Sequence, residues 1–327
     1  MRLPDALRSA QSRTIGSEPN EVGVSEIRLL TGRPHRKDSA RQGFGYLLLA
    51  PQVIGFILVG VVALVRVAWL SLFRVDVLAQ RQTFVGLRNY SRILSDAQMA
   101  TILPNTLFLV AFLSTLGTLA ALLLAILLNQ RLPGMNVFRA AVFTPTLVTM
   151  VAWTLVWQFI LQPHGLLDSL TAGVGIPPQP WLRSRWLTLF VLVIVQLLKN
   201  VGINVMIFLA ALQAVPQDLI DATKVDGSGK WGTFRHAVLP QVSPSILMVF
   251  MLMITGSFKV FELVLLLTDG GPGVETEVLS IAIYKQAFQF DDIGYSSALS
   301  VLLFAIVLLL TLVVWQVRRR VVFHESD

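Results

Sequence analysis

Cysteine is absent from the 327 residues, which excludes disulfides, thiolate nucleophiles and thiolate-ligated metals. Histidine is scarce: His35, His164, His236 and His324 are scattered, no two lie one helical turn apart, and zinc-like spacing is missing. Charged residues make up 14% of the chain, too few to coat a water-soluble domain of this length. A nucleotide site is missing as well. Gly227-Ser228-Gly229-Lys230 imitates the end of a phosphate-binding loop, but Lys224 stands where the opening Gly is needed and Trp231 where Ser or Thr should hold magnesium. Asp269-Gly270-Gly271-Pro272-Gly273 has no following Lys and reads as a tight turn between helices. Soluble-enzyme chemistry has no obvious home in this sequence.

Apolar residues are abundant, at 54% of the chain with a mean hydropathy of +0.69. They gather in runs nearly free of charge, and a run of about 18 such residues is long enough to cross a bilayer. Six places qualify: 42–65, 97–130, 140–162, 186–215 with Lys199 inside it, 236–258 continuing apolar to 267, and 293–317. The expected fold is an all-α membrane protein of six transmembrane helices, with both termini on one side. Lys and Arg are retained on the cytoplasmic side, and 16 of them fall on the terminal set of segments against 7 on the other, which favours cytoplasmic termini.

Residues 1–41 mix Ser, Gly, Pro and both charge signs with few large apolar side chains, the composition of a disordered cytoplasmic tail. They lack the short apolar core and small-residue cleavage site of a signal peptide. Residues 318–327 form a second, short cytoplasmic tail. The net charge of +7 fits contact of basic flanks with anionic membrane lipid better than nucleic-acid binding.

The longest expected cytoplasmic loop, 216–240, has the polarity of a docking element rather than a linker. Pro216 suits the first turn of a helix, Gln217, Asp218 and Asp221 favour its positive N-terminal end, and Gly227 permits a tight stop. Trp231 and Phe234 follow at i, i+3 beside Lys230 and Arg235, and a short helix with exposed aromatics suits a partner's groove.

In this loop the chain resembles the inner-membrane permease subunits of binding-protein-dependent ABC importers. Their signature is Glu-Ala-Ala, three residues, Gly, nine residues, Ile, one residue, Leu-Pro. Asp221-Ala222-Thr223, Gly227, Ala237 and Leu239-Pro240 match its spacing throughout, with Asp for Glu, Thr for Ala and Ala for Ile as departures. Further stretches are similar to the carbohydrate-uptake branch, of the maltose and glycerol-3-phosphate type. They are Trp69-Leu70-Ser71-Leu72, Phe84-Val85-Gly86-Leu87-Arg88-Asn89-Tyr90, Pro104-Asn105-Thr106, Leu267-Thr268-Asp269-Gly270-Gly271-Pro272 with Thr276 and Tyr284, and Gly294-Tyr295-Ser296-Ser297-Ala298-Leu299.

The resemblance implies a type I ABC importer permease fold in a bacterial inner membrane. It implies a complex with a second homologous permease subunit, two ATPase subunits and an extracytoplasmic solute-binding protein. ATP and magnesium would sit on the ATPase subunits, with no cofactor in this chain. Asp221, Ala222, Asp226, Gly227, Lys230, Trp231, Leu239 and Pro240 would form or flank a coupling helix seated in an ATPase cleft. The solute would be sugar-like: an oligosaccharide, a monosaccharide or glycerol phosphate.

Polar residues inside the spans are the candidates for the solute path, because an ionised side chain at bilayer depth costs about 2.5 to 3.5 kcal/mol unless it faces protein or water. Lys199 is the best placed, with Asn200 and Asn204 beside it; its alternative is a structural bond to the sister subunit. Trp153, Trp157 and Gln158 would stack on a sugar ring or sit at a membrane interface. Lys259 and Glu262, three residues apart, either face solute or neutralise each other. An ion-coupled secondary carrier is the competing class. It calls for inverted repeats, which the sequence does not show, and leaves the loop signature unexplained.

Overall fold

The computed structural model describes residues 48–76, 81–130, 132–173, 175–258 and 260–321, with side chains described as far as Gln316. The 1–41 tail, the start of the first run, Lys259 and residues 322–327 lie outside the described residues.

The chain divides after Val62 into two units. Among described residues the first holds the leading part of α1, Leu48–Leu70, an apolar helix with a wide π-turn at Phe56–Val61. In the second unit an antiparallel hairpin pairs β1, Phe73–Asp76, with β2, Arg81–Phe84, in the register Phe73↔Phe84 to Asp76↔Arg81. Four residues per strand are too few for alternation to show in the sequence, so this exception to an all-helical reading went unforeseen. The helices that follow are α2, Arg88–Ser95; α3, Met99–Leu128; α4, Met135–Leu147; α5, Met150–Ile160; and α6, Leu166–Ala172. Then come α7, Arg185–Gln213; α8, Gln217–Val225; α9, Lys230–Ser257; α10, Phe261–Leu267; α11, Leu279–Phe288; and α12, Ile293–Val321.

By length and apolar composition α1, α3, α7, α9 and α12 can each cross a membrane, and the α4–α5 pair makes a sixth crossing if counted as one span. A helix satisfies its backbone groups internally, which hydrocarbon demands of any spanning segment. The third run corrects the expectation of a straight span over 140–162, because its two helices meet at 100°. Hydropathy is blind to the cause. Pro145 cannot donate a backbone hydrogen bond, Val148 and Thr149 are extended, and the Thr149 hydroxyl accepts from Ala152 N to start a new helix. The fifth run also differs: α9 begins at Lys230, ends at Ser257, and α10 is a separate short helix packed on α5.

Helix α7 is the axis of the second unit and packs on α3, α4 and α9. Its buried residues Thr188, Leu192, Val195, Lys199, Gly202, Val205, Phe208 and Leu212 recur every three or four positions and so share a face. Lipid offers no hydrophobic drive for such pairing, so close approach and polar contacts must hold it. Gly202 shows this directly: a Cβ there would sit 2.6 Å from the Val142 carbonyl and 3.0 Å from Phe143 Cα.

At the opposite end from the 216–240 segment, polar side chains pin loops to helices. Asn89 donates to the Ser71 and Phe73 carbonyls, at 2.7 and 3.1 Å. Asn105 donates to the carbonyls of Glu275 and Glu277, at 2.8 and 3.0 Å, and accepts from Arg185 Nε at 3.1 Å. Tyr295 donates to Asp96 at 3.0 Å, beside an Arg92–Asp292 ion pair. Several stretches that carried the resemblance are therefore joints of the fold.

Candidate functional site: a docking segment and a polar cavity

The 216–240 segment is built by two helices joined through one glycine. Pro216 stands just before α8 as an extended N-cap, and Asp218 occupies the first turn. At the other end Gly227 has φ 78°, its N–H donates to Lys224 O, and Ser228 N–H donates to Thr223 O, both at 3.0 Å. These two bonds make a Schellman cap, which needs the left-handed backbone that glycine adopts without strain. Asp221 accepts from Lys224 Nζ at 2.8 Å and from Gln217 at 3.2 Å, and these contacts hold its carboxyl below the usual range.

The chain then turns directly into α9, so the expected second short element is the first part of a long span. Its Phe234–Val238 turn is a π-turn lying just before Leu239 and Pro240. Pro240 has no N–H to complete the helical ladder, and a wide turn accommodates that loss. Trp231 stacks on Phe234 at 5.7 Å and stays 71% exposed, while Val225 is 87% exposed. Thr223 and Thr233 hydroxyl oxygens lie 3.2 Å apart and bridge the two helices. Asp221, Ala222, Asp226, Gly227 and Lys230 are all exposed around these apolar side chains.

The second site is a cavity of about 260 Å³ between α3, α7 and α9. Gln196, Asn200 and Asn204 line it from one face of α7 at four-residue intervals, with Ser257 opposite on α9 and Leu113, Ile203 and Met253 as apolar wall. Asn204 donates to Met253 Sδ at 3.0 Å. Gln196 Oε1 is buried and has no hydrogen-bond partner among the described residues. Leaving a polar atom so costs about 1 to 3 kcal/mol.

The remaining sequence candidates lie elsewhere. Lys199 is buried on α7 but does not line this cavity; its ammonium donates to the Pro145 and Val148 carbonyls of the same chain. Trp153 and Trp157 meet edge to face at 6.0 Å against the apolar core, and Trp153 Nε1 donates to Val195 O at 3.1 Å. Gln158 and Glu262 are exposed, and Lys259 lies outside the described residues. Gln196 and Ser257 were missed from sequence. Gln196 sits one turn before Asn200, and that interval was its available signal.

Comparison with known proteins bears on what these two sites belong to. The family model described as binding-protein-dependent transport system inner membrane component matches residues 114–322, more than half of the chain, the whole docking segment and all of the cavity lining except Leu113. The chain belongs to that family. The trehalose/maltose transport system permease protein MalF of Thermococcus litoralis is 31% identical over 281 residues, covering 84% of this chain and 93% of its own. The arabinooligosaccharides transport system permease protein AraP of Bacillus subtilis is 30% identical over 272 residues, covering 82% and 86%. The sn-glycerol-3-phosphate transport system permease protein UgpA of Yersinia pestis is 28% identical over 295 residues, covering 88% and 99%. In structure, a bacterial ABC transporter involved in the import of the acidic polysaccharide alginate matches with a TM-score of 0.76 over 88% of this chain and 99% of its own, at 21% identity. The fold of this family member is thus the type I ABC permease fold, and the secondary-carrier reading finds no support.

Proposed function

We propose that this chain is the membrane-spanning subunit of an ATP-driven importer whose solute is a sugar or sugar phosphate, passed along the Gln196–Asn200–Asn204 face of α7. The observation that carries this reading is the cavity lined by the three amide side chains Gln196, Asn200 and Asn204 along one face of α7. Amide side chains supply both donors and acceptors, matching a hydroxyl-rich solute without fixing a charge. The relatives named for maltose, arabinooligosaccharides and glycerol-3-phosphate support a carbohydrate-like solute.

The exposed Val225 and Trp231, with the half-buried Phe234 beneath Trp231 and flanked by Asp221, Asp226 and Lys230, are the surface offered to an ATPase partner. ATP and magnesium belong to that partner. Closure of two ATPase subunits would push α8, and through its direct junction with α9 would move one wall of the cavity. A second permease subunit would supply the cavity's other side, and a solute-binding protein would dock on the outer loops. An alginate transporter complex in the same fold holds such a periplasmic protein. The Lys/Arg bias favours cytoplasmic termini, with the chain in a bacterial inner membrane.

The test is uptake by the reconstituted complex with Gln196→Leu, which keeps the side chain's volume and removes its amide. Loss of one hydrogen bond predicts a drop of about tenfold in uptake, from about 1.4 kcal/mol, with assembly unchanged. Uptake equal to wild type at all solute concentrations would remove Gln196 from the path.

A further inference from the structure

Lys199 is an ammonium inside a span, and among the described residues no carboxylate pairs with it. Neither α3, α4, α5 nor α9 contains an Asp or Glu. Its partners are instead two backbone carbonyls, Pro145 O at 3.5 Å and Val148 O closer still. Both belong to the end of α4, where the third span breaks. A helix C-terminus leaves carbonyls unsatisfied and carries roughly half a unit of negative charge, so a buried cation there answers both deficits.

Three further contacts join the same break to α7. Thr146 Oγ1 donates to the Lys199 carbonyl at 3.2 Å, Trp153 Nε1 on the far side of the bend donates to Val195 O at 3.1 Å, and Gly202 admits the α4 backbone. Non-helical backbone at membrane depth survives only where protein satisfies it. We propose that Lys199 is a tethered cation that fixes the 100° bend between α4 and α5, a positioning residue for the broken span rather than a solute ligand. This role holds whichever solute the complex carries, because the ammonium is bonded to the Pro145 and Val148 carbonyls and Lys199 does not line the cavity.

The chain has no cysteine, so a labelled pair can be introduced without removing any. Spin labels at Val137→Cys on α4 and Phe159→Cys on α5, both about two-thirds exposed or more, straddle the bend. The distance between them is read by pulsed electron resonance in the full complex in nanodiscs, with the other subunits free of cysteine. Lys199→Met is expected to broaden the distribution or move its peak by several ångströms, whereas Lys199→Arg, which keeps a cation, stays narrow at the wild-type distance. If Lys199→Met does not assemble, Lys199→Gln is read in its place with the same expectation. A Met or Gln distribution superimposable on wild type overturns the proposal, as do Met and Arg variants that depart alike.

Discussion

Gly227 offers the sharpest perturbation of the docking segment, because its substitution is a pure backbone change. A Cβ at this position meets nothing within 4 Å, so no steric clash confuses the result. What a side chain must bear is φ 78°, a conformation that costs an ordinary L-residue about 1 to 2 kcal/mol. Free energy of that size raises the frayed population of the last turn of α8 about 5- to 30-fold. Asn tolerates the left-handed region better than Ala, and Pro forbids it while also removing the N–H that donates to Lys224 O. The expected order of damage is therefore Asn, then Ala, then Pro. ATP hydrolysis and solute uptake are measured side by side on the reconstituted complex. Uptake per ATP should fall several-fold for Gly227→Ala, stay near wild type for Gly227→Asn, and vanish for Gly227→Pro with membrane insertion intact. Wild-type uptake per ATP in the Pro variant would refute the idea that this capped helix transmits the push.

Two further outcomes follow from other parts of the fold. Gly202→Ala forces a methyl against the Val142 and Phe143 backbone, which has no flexible end to yield; overpacking of that kind costs about 1 to 3 kcal/mol, and an unchanged Tm of the detergent-solubilised complex would contradict the close α4–α7 approach. Asp168 accepts from Trp181 Nε1 at 2.7 Å, His164 N at 2.8 Å and Gln179 N at 3.3 Å, and these donors hold its carboxyl below the usual range. The stabilisation is fully present above the unfolded value of about 3.9 and is lost as pH falls through the depressed folded value, so hydrogen exchange in residues 162–181, corrected for intrinsic rate, should stay constant from pH 8 to about 5. Opening of this loop between pH 5 and 7 would show that another group holds it.

The sequence made the spans legible where composition alone decides them. Runs 97–130, 186–215 and 293–317 became α3, α7 and α12 with ends shifted by a few residues. The third run was legible as an apolar span, but its 100° bend was not, because a hydropathy average cannot weigh one cap residue, Thr149, against a dozen apolar neighbours. The fifth run, 236–258, gave the end of α9 at Ser257 to within one residue and missed its start at Lys230. Gly227 was legible because its chemistry is local: a left-handed cap needs glycine in any context. The cavity was only half visible. Asn200 and Asn204 stood out as polar residues in an apolar run, but Gln196 gains meaning only once the α9 wall carrying Ser257 closes over it. Lys199 was read correctly as an interior residue, yet its partners, Pro145 and Val148, are backbone carbonyls some fifty positions away and leave no trace in side-chain chemistry.

The most direct measurement is ATP hydrolysis by the purified complex in proteoliposomes, with and without its solute-binding protein loaded from a panel of monosaccharides, oligosaccharides and sugar phosphates. Stimulation by one loaded binding protein, abolished by Gly227→Pro and weakened by Gln196→Leu, is the expected result. Hydrolysis indifferent to every loaded binding protein, or uptake that follows an ion gradient with no ATPase subunit bound, would contradict it.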